Sequence, residues 1–263
     1  MPDAISLDAM PIWGVLLLTV AVILLAEECG YRFGRFRGKQ ERRESEPRVG
    51  GMVGAELSLL AFLLAFTFGM AGSRFEDRRQ VVLDEANAIG TTYLRSAMIP
   101  EPQATEVRRL LREYVDVRLA GVQGGSLEQA IRRSEALHGE LWAEAVAAAE
   151  KDQRSVPTGL FVSSLNETID LHAKRLQAGL RSRIPLPVWF VLFGVAVSSF
   201  LAVGYHGGLT RTSRSPAVYL VVLTFAAVMW LIVDLDRPGE GILKASQQPM
   251  IELRESMKPP PSH

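Results

Sequence analysis

Four apolar runs, residues 10–26, 49–71, 184–205 and 217–233, divide this chain two by two around a long charged insert. A helix of about 20 apolar residues crosses a hydrocarbon core of ~30 Å, and each run is that long or nearly so. No run alternates at period two, so strand signals are absent. The expected class is all-α: an integral membrane protein with four transmembrane helices, split two and two by a helical-bundle insert. The expected segments are residues 1–72 (helices one and two with a basic loop), 73–183 (the insert), 184–236 (helices three and four) and 237–263 (a tail).

The charge balance carries a second constraint. Of 263 residues, 48% are hydrophobic and 22% charged, yet the formal net charge is 0. The charges sit in the loops and the insert, whereas a soluble domain spreads its apolar residues at helical or strand period. A nucleic-acid partner normally needs a basic domain, and none is expected here. Cys29 is the only cysteine, which excludes an intrachain disulfide and a cysteine-rich metal site. The first run reads as a membrane helix rather than a signal peptide. Asp3 and Asp8 precede it, and Glu27-Glu28-Cys29-Gly30 follows it in place of a small-residue cleavage site.

Orientation reads two ways. The loop of residues 31–48 carries Arg32, Arg35, Arg37, Lys39, Arg42, Arg43 and Arg48, and the positive-inside rule places it in the cytoplasm. The insert, however, is also basic at its membrane-proximal ends, with Arg74, Arg78 and Arg79 on one side and Lys174, Arg175, Arg181 and Arg183 on the other. Helix one is expected to end near Glu28, and helix three at Tyr205-His206-Gly207-Gly208.

Helix two has an internal pattern. Gly54, Ser58, Ala61, Ala65, Gly69 and Gly72 recur at steps of four, three, four, four and three, which puts them on one face. Small residues let membrane helices approach closely. The stripe is therefore either a packing face against a neighbouring helix or the wall of a pore narrowed by Phe62 or Phe66. Glu56 lies inside the start of this run. An intramembrane carboxylate is a functional candidate by default, although one this near the boundary can also snorkel.

No turn signal separates helix two from the insert, so one rod is expected to run to about Met98, where Pro100 and Pro102 end it. Three more helices are expected at about 105–122, 126–151 and 158–181. Ser126 with Gln129 forms a capping-box signature at the start of the second of these. Glu85 and Asn87 lie about three turns beyond the membrane exit. They read either as a buried polar network or as a polar checkpoint in line with helix two. His172 falls on the apolar face of its helix and reads as a buried, hydrogen-bonded histidine.

Helix four closes on Asp234, Asp236 and Arg237, a charged corner that acts as an interfacial stop or ties the tail to another part of the protein. The tail contains a short helical stretch and ends in a proline run read as disordered. No phosphate-binding loop, nucleophile elbow or zinc signature is present. The single Glu135-x-x-His138 lacks the second copy that a carboxylate-bridged metal site needs. No metal, no cofactor and no enzymatic activity are expected.

The segment Leu64-Ala65-Phe66-Thr67-Phe68-Gly69-Met70-Ala71-Gly72-Ser73-Arg74-Phe75-Glu76-Asp77-Arg78-Arg79 leads on to Glu85-Ala86-Asn87-Ala88-Ile89-Gly90. With Leu110-Leu111-Arg112-Glu113-Tyr114-Val115 and Leu235-Asp236-Arg237-Pro238, it resembles the bacterial bestrophin-like domain family of unknown function. The resemblance extends more distantly to the bestrophin anion channels. It implies a homo-oligomer, a pentamer in bestrophins, in a cell membrane (the inner membrane of a bacterium), with the insert in the cytoplasm. It also implies a pore lined by helix two, with Phe62, Phe66 and Phe68 as the candidate neck and Arg74, Arg78 and Arg79 as a basic mouth. The tryptophans flanking the arginines and the acidic calcium clasp of bestrophins have no counterpart here. The expected function is an oligomeric anion channel lined by helix two, whose partners are the bilayer and inorganic ions. The alternative is a non-conducting, membrane-anchored helical module that binds a partner or ligand.

Overall fold

The computed structural model describes residues 10–38, 46–122, 124, 126–151, 154–210, 216–237, 239 and 241–258. Among them the regular structure is helical, with no strand. The α-helices are α1 (Ile12–Arg37), α2 (Glu46–Arg95), α3 (Gln103–Val122), α4 (Leu127–Lys151), α5 (Val156–Leu176), α6 (Leu186–Thr210), α7 (Pro216–Asp236) and α8 (Gln248–Ser256). Four stretches are long and apolar enough to cross a membrane: Ile12–Arg37, Arg48–Met98, Val156–Thr210 and Pro216–Asp236. The chain forms two compact units. One takes the described parts of Met1–Phe75 and Arg183–Lys244, the other those of Glu76–Ser182 and Ala245–His263. Helix α2 passes from one unit into the other without a break.

The apolar unit is organised by a backbone-to-backbone contact between α1 and α6. A Cβ placed on Gly30 lies 2.0 Å from the Leu201 carbonyl oxygen, and one on Gly34 lies 2.2 Å from that of Tyr205. The relation is reciprocal: a Cβ on Gly204 meets the Glu27 oxygen at 2.0 Å, and one on Gly208 meets that of Tyr31 at 2.3 Å. Glycines at a step of four on both helices bring the two backbones together at these four positions, and the Phe33 and Tyr205 rings pack beside them with centroids 5.6 Å apart. This is how membrane helices associate when apolar surface alone supplies no drive. It corrects two expectations. Residues 31–37 are helical rather than loop, and α6 continues through the Gly207-Gly208 pair to Thr210. These glycines are the contact itself, so they do not break either helix.

Around that contact Leu60, Leu64 and Ala71 of α2, Trp189, Leu192 and Phe200 of α6, and Phe225 and Met229 of α7 form a buried core. Phe200 and Phe225 meet edge to face, with centroids 5.5 Å apart. The Thr19 and Thr67 hydroxyls donate to the carbonyls of Val15 (2.8 Å) and Leu63 (2.7 Å), so neither is left unbonded in an apolar setting. Outward-facing Trp13, Leu17, Phe190 and Leu220 are all exposed. In water such a surface is an aggregation liability, whereas in a bilayer it meets its own solvent.

The charged unit is a helical bundle. Its core contains Ile89 of α2, Leu110, Leu111 and Val115 of α3, Leu137 and Leu141 of α4, and Phe161 and Leu165 of α5. The helix starts follow sequence signals. Ser126 accepts the Gln129 N–H at 3.3 Å, and Ser155 accepts that of Thr158 at 3.3 Å, each relieving an orphaned donor. Helix α5 was expected to run to about residue 181. It stops at Leu176, and a π-helical turn covers Gln177–Arg181. The tail does not stand apart from the bundle: Met250 and Met257 of the α8 region are buried in this core. The proline run at 259–261 lies outside the described residues.

Candidate functional site

On α2, Gly54, Ser58, Ala61, Ala65 and Gly69 are exposed and Gly72 is half-buried. A Cβ added at Gly54, Gly69 or Gly72 meets no atom within 4 Å. The buried side of the same stretch is Leu60, Leu64, Thr67 and Ala71. Among the described residues, then, nothing of the same chain packs on the stripe at these glycines, and close helix packing is carried by α1 and α6 instead. Phe62, Phe66 and Phe68 are 67%, 60% and 41% exposed. The three arginines part company. Arg79 is exposed and pairs with Glu76 at 2.9 Å, Arg74 is half-buried, and Arg78 is buried. Of the three candidate mouth residues, only Arg79 is exposed.

Glu56 is half-buried on α2, and its carboxylate accepts the hydroxyl of Ser198 on α6. The intramembrane acid is thus tied to a neighbouring helix.

The charged corner is a knot within the apolar unit. Asp234 accepts the backbone N–H of Ile242 at 3.0 Å and that of Leu243 at 3.1 Å. Asp236 accepts the N–H of Ile184 at 2.9 Å. Arg237 donates to the Met10 carbonyl at 2.7 Å, and Arg183 to that of Asp236 at 2.8 Å. Gly241 makes the turn at φ +108°, where a Cβ would sit 1.9 Å from Asp234 Oδ1. Both strain and overlap therefore oppose any side chain there. Asp234→Ala should strand two backbone donors and destabilise by about 1–3 kcal/mol, read as a lowered thermal midpoint in detergent.

The densest polar site lies in the bundle, beyond the apolar part of α2. Glu85 of α2 is fully buried. Its carboxylate accepts the Tyr114 hydroxyl at 2.9 Å and the Arg175 guanidinium, and pairs with Arg118 Nε at 3.1 Å. Arg175 donates onward to Gln247 at 2.7 Å. The Tyr114 oxygen is 3.2 Å from His172 Nδ1. His138 of α4 packs edge-on against His172, with centroids 4.8 Å apart. Asn87, two residues from Glu85, is exposed, so the two polar residues paired by the sequence separate. The partners of Glu85 come from α3 and α5, far away in the chain. Their only sequence signal is polar character on otherwise apolar helix faces.

Burial pushes the Glu85 carboxyl up, but Arg175 and Arg118, with the hydrogen bonds from Arg175 and Tyr114, outweigh it, and its pKa falls below the ordinary value. Burial, reinforced by the Glu85 charge, raises the Tyr114 hydroxyl. Burial, then the nearby Arg118 charge, lowers both His138 and His172 to about 4. The unfolded chain protonates these rings near pH 6.5, and the folded bundle does not until about pH 4. Their contribution is complete above pH 6.5 and shrinks as pH falls toward 4, by on the order of 2–3 kcal/mol per ring. The depressed carboxyl of Glu85 adds a loss of the same sign at still lower pH. A thermal midpoint that stays flat from pH 7 to 4.5 would contradict this. Among the described residues no group of three or more His, Cys, Asp or Glu is placed to hold a metal ion.

The class defined by these observations is an all-helical membrane protein. A profile of the Bestrophin-like domain matches residues 20–250, and the chain belongs to that family. Solved structures share the fold. A variant of a bacterial bestrophin homologue from Klebsiella pneumoniae matches at 14% identity with TM-score 0.65, covering 94% of this chain and 96% of that one. A second variant of the Klebsiella homologue matches at 15% identity with TM-score 0.63, covering 94% and 97%. A variant of a membrane protein matches at 14% identity with TM-score 0.65, covering 94% and 95%. No curated protein matches the chain.

Proposed function

We propose that this protein is the subunit of a homo-oligomeric anion channel of a bacterial inner membrane, with α2 lining the pathway. One observation carries the reading. The face of α2 from Gly54 to Gly72 is smooth, small and open, while the protomer's own helix packing is done elsewhere. Copies arranged about an axis would turn that face toward water, with Phe62 and Phe66 narrowing the path. Arg79 supplies the exposed positive charge at the end of the apolar run, and a ring of such cations favours anions. Membership of the family supports a pentameric arrangement. The reading is of transport and not of catalysis.

The test is anion flux from liposomes containing the purified protein. Chloride efflux is expected, and Ala65→Trp, at an exposed site with room for the ring, should lower it at least tenfold while leaving the protein folded. Absence of flux at any potential or pH would sink the reading. It would favour instead the non-conducting module, to which the buried polar cluster of the bundle lends support.

A further inference from the structure

The cluster around Glu85 is unbalanced in charge and in hydrogen bonds. Two guanidiniums, Arg118 and Arg175, face one carboxylate. Among the described residues Glu85 is the only acid that acts on His138 or His172. A buried charge without a counterion is costly, so an excess positive charge in this interior calls for one. Among the described residues, buried polar atoms also lack partners: Ser134 Oγ, His138 Nε2 and His172 Nε2 make no hydrogen bond, and Arg118 Nε, although paired with Glu85, is not aligned to bond. Orphaned groups this deep are rare in folded proteins.

The orphans differ in kind. Tyr114 has one hydroxyl proton and gives it to Glu85. Its oxygen must therefore accept from Nδ1–H of His172, which leaves His172 Nε2 a bare lone pair suited to a water. Ser134 and His138 are one turn apart on α4 and share its inward face. The Ser134 hydroxyl and the Nε2–H tautomer of His138 are both donors. A cation is disfavoured by the excess positive charge. A water satisfies the donors but not the charge. An anion satisfies both.

We propose that the bundle holds one small inorganic anion, of the halide or nitrate class, on Ser134 and His138 beside Arg118, as the counterion that Glu85 alone does not supply. The site belongs to each protomer and is built from residues of the bundle alone. It is independent of conduction, so a failed flux assay leaves it standing and a failed binding assay leaves the channel reading standing.

Crystals of the full-length protein grown in sodium bromide test it directly. An anomalous bromide peak within hydrogen-bonding distance of Ser134 Oγ and His138 Nε2 is expected. In detergent, bromide should raise the thermal midpoint by several degrees over gluconate at equal ionic strength, because a ligand that binds only the folded state stabilises it. The rise should vanish in the Ser134→Ala, His138→Leu double variant. A structure with no peak at the cluster overturns the proposal, and so does a bromide effect that persists in the double variant. Should that variant fail to fold, the diffraction experiment on the unaltered chain decides alone.

Discussion

Glu85→Ala is expected to open the charged bundle. The substitution removes the carboxylate on which Tyr114, Arg118 and Arg175 converge and leaves two guanidiniums facing each other with no acid between them. Breaking a buried ion pair from one side costs about 3–5 kcal/mol, most of it the penalty of the stranded charge. Hydrogen exchange reports the effect where it arises. Amides of α3 around Tyr114 and Arg118 should exchange on the order of 100-fold faster or more, since every 1.4 kcal/mol of lost protection is a factor of ten. Tyr114→Phe keeps the shape and deletes one bond, so its effect should be about 1–2 kcal/mol. Equal protection in Glu85→Ala and the parent would mean that the ion cluster does not hold the bundle.

Gly204→Leu is expected to prevent the apolar unit from forming. Even a methyl at Gly204 overlaps the Glu27 carbonyl oxygen at 2.0 Å, and the atom in the way is backbone, which cannot rotate aside. Gly30→Leu should do the same against Leu201. Overpacking a core typically costs about 1–3 kcal/mol where neighbours can shift; here two helices must move apart along their whole contact, so the loss should exceed that range. The measurement is recovery of a single folded species by size exclusion in detergent. Gly54→Ala is the control: its new methyl meets nothing within 4 Å in the protomer, so any effect it has comes from contact between copies. If Gly204→Leu were recovered as well as Gly54→Ala, the described α1–α6 contact would be wrong.

These two contacts differ in how far the residues announced them. The apolar runs were legible because a bilayer demands length and composition, and both can be read locally. Ser126 was legible for a similar reason, since a cap bonds to amides a few residues away. The α1–α6 contact was not read from the sequence. Gly30, Gly34 and Gly208 look like helix ends under rules drawn from water, where glycine exposes backbone to a competing solvent. Between apolar helices that competition is absent, and the missing side chain becomes the contact. On α2 a regular small-residue stripe read either as a packing face or as a pore wall, and its glycines are open within the protomer. Period alone tells which residues share a face, not what the face meets.

Glu85 could be singled out from sequence as a polar residue about three turns beyond the membrane exit, but its partners could not. Tyr114, Arg118 and Arg175 lie 29 to 90 residues away, and no local rule joins them. Asn87 stood beside Glu85 in the chain and turns to solvent, because two steps along a helix rotate a side chain to another face.

The most direct test of the central claim is thiol accessibility during anion flux. Cys29 is exposed and must first be replaced by serine. In that background Ala61→Cys and Ala65→Cys place thiols on the open face of α2, and Leu60→Cys places one on the buried face. A charged, membrane-impermeant thiol reagent should stop chloride flux in the first two variants and leave the third unchanged. If the reagent modifies the thiol introduced at Ala61 or Ala65 without altering flux, or never reaches either while chloride still passes, α2 does not line the pathway.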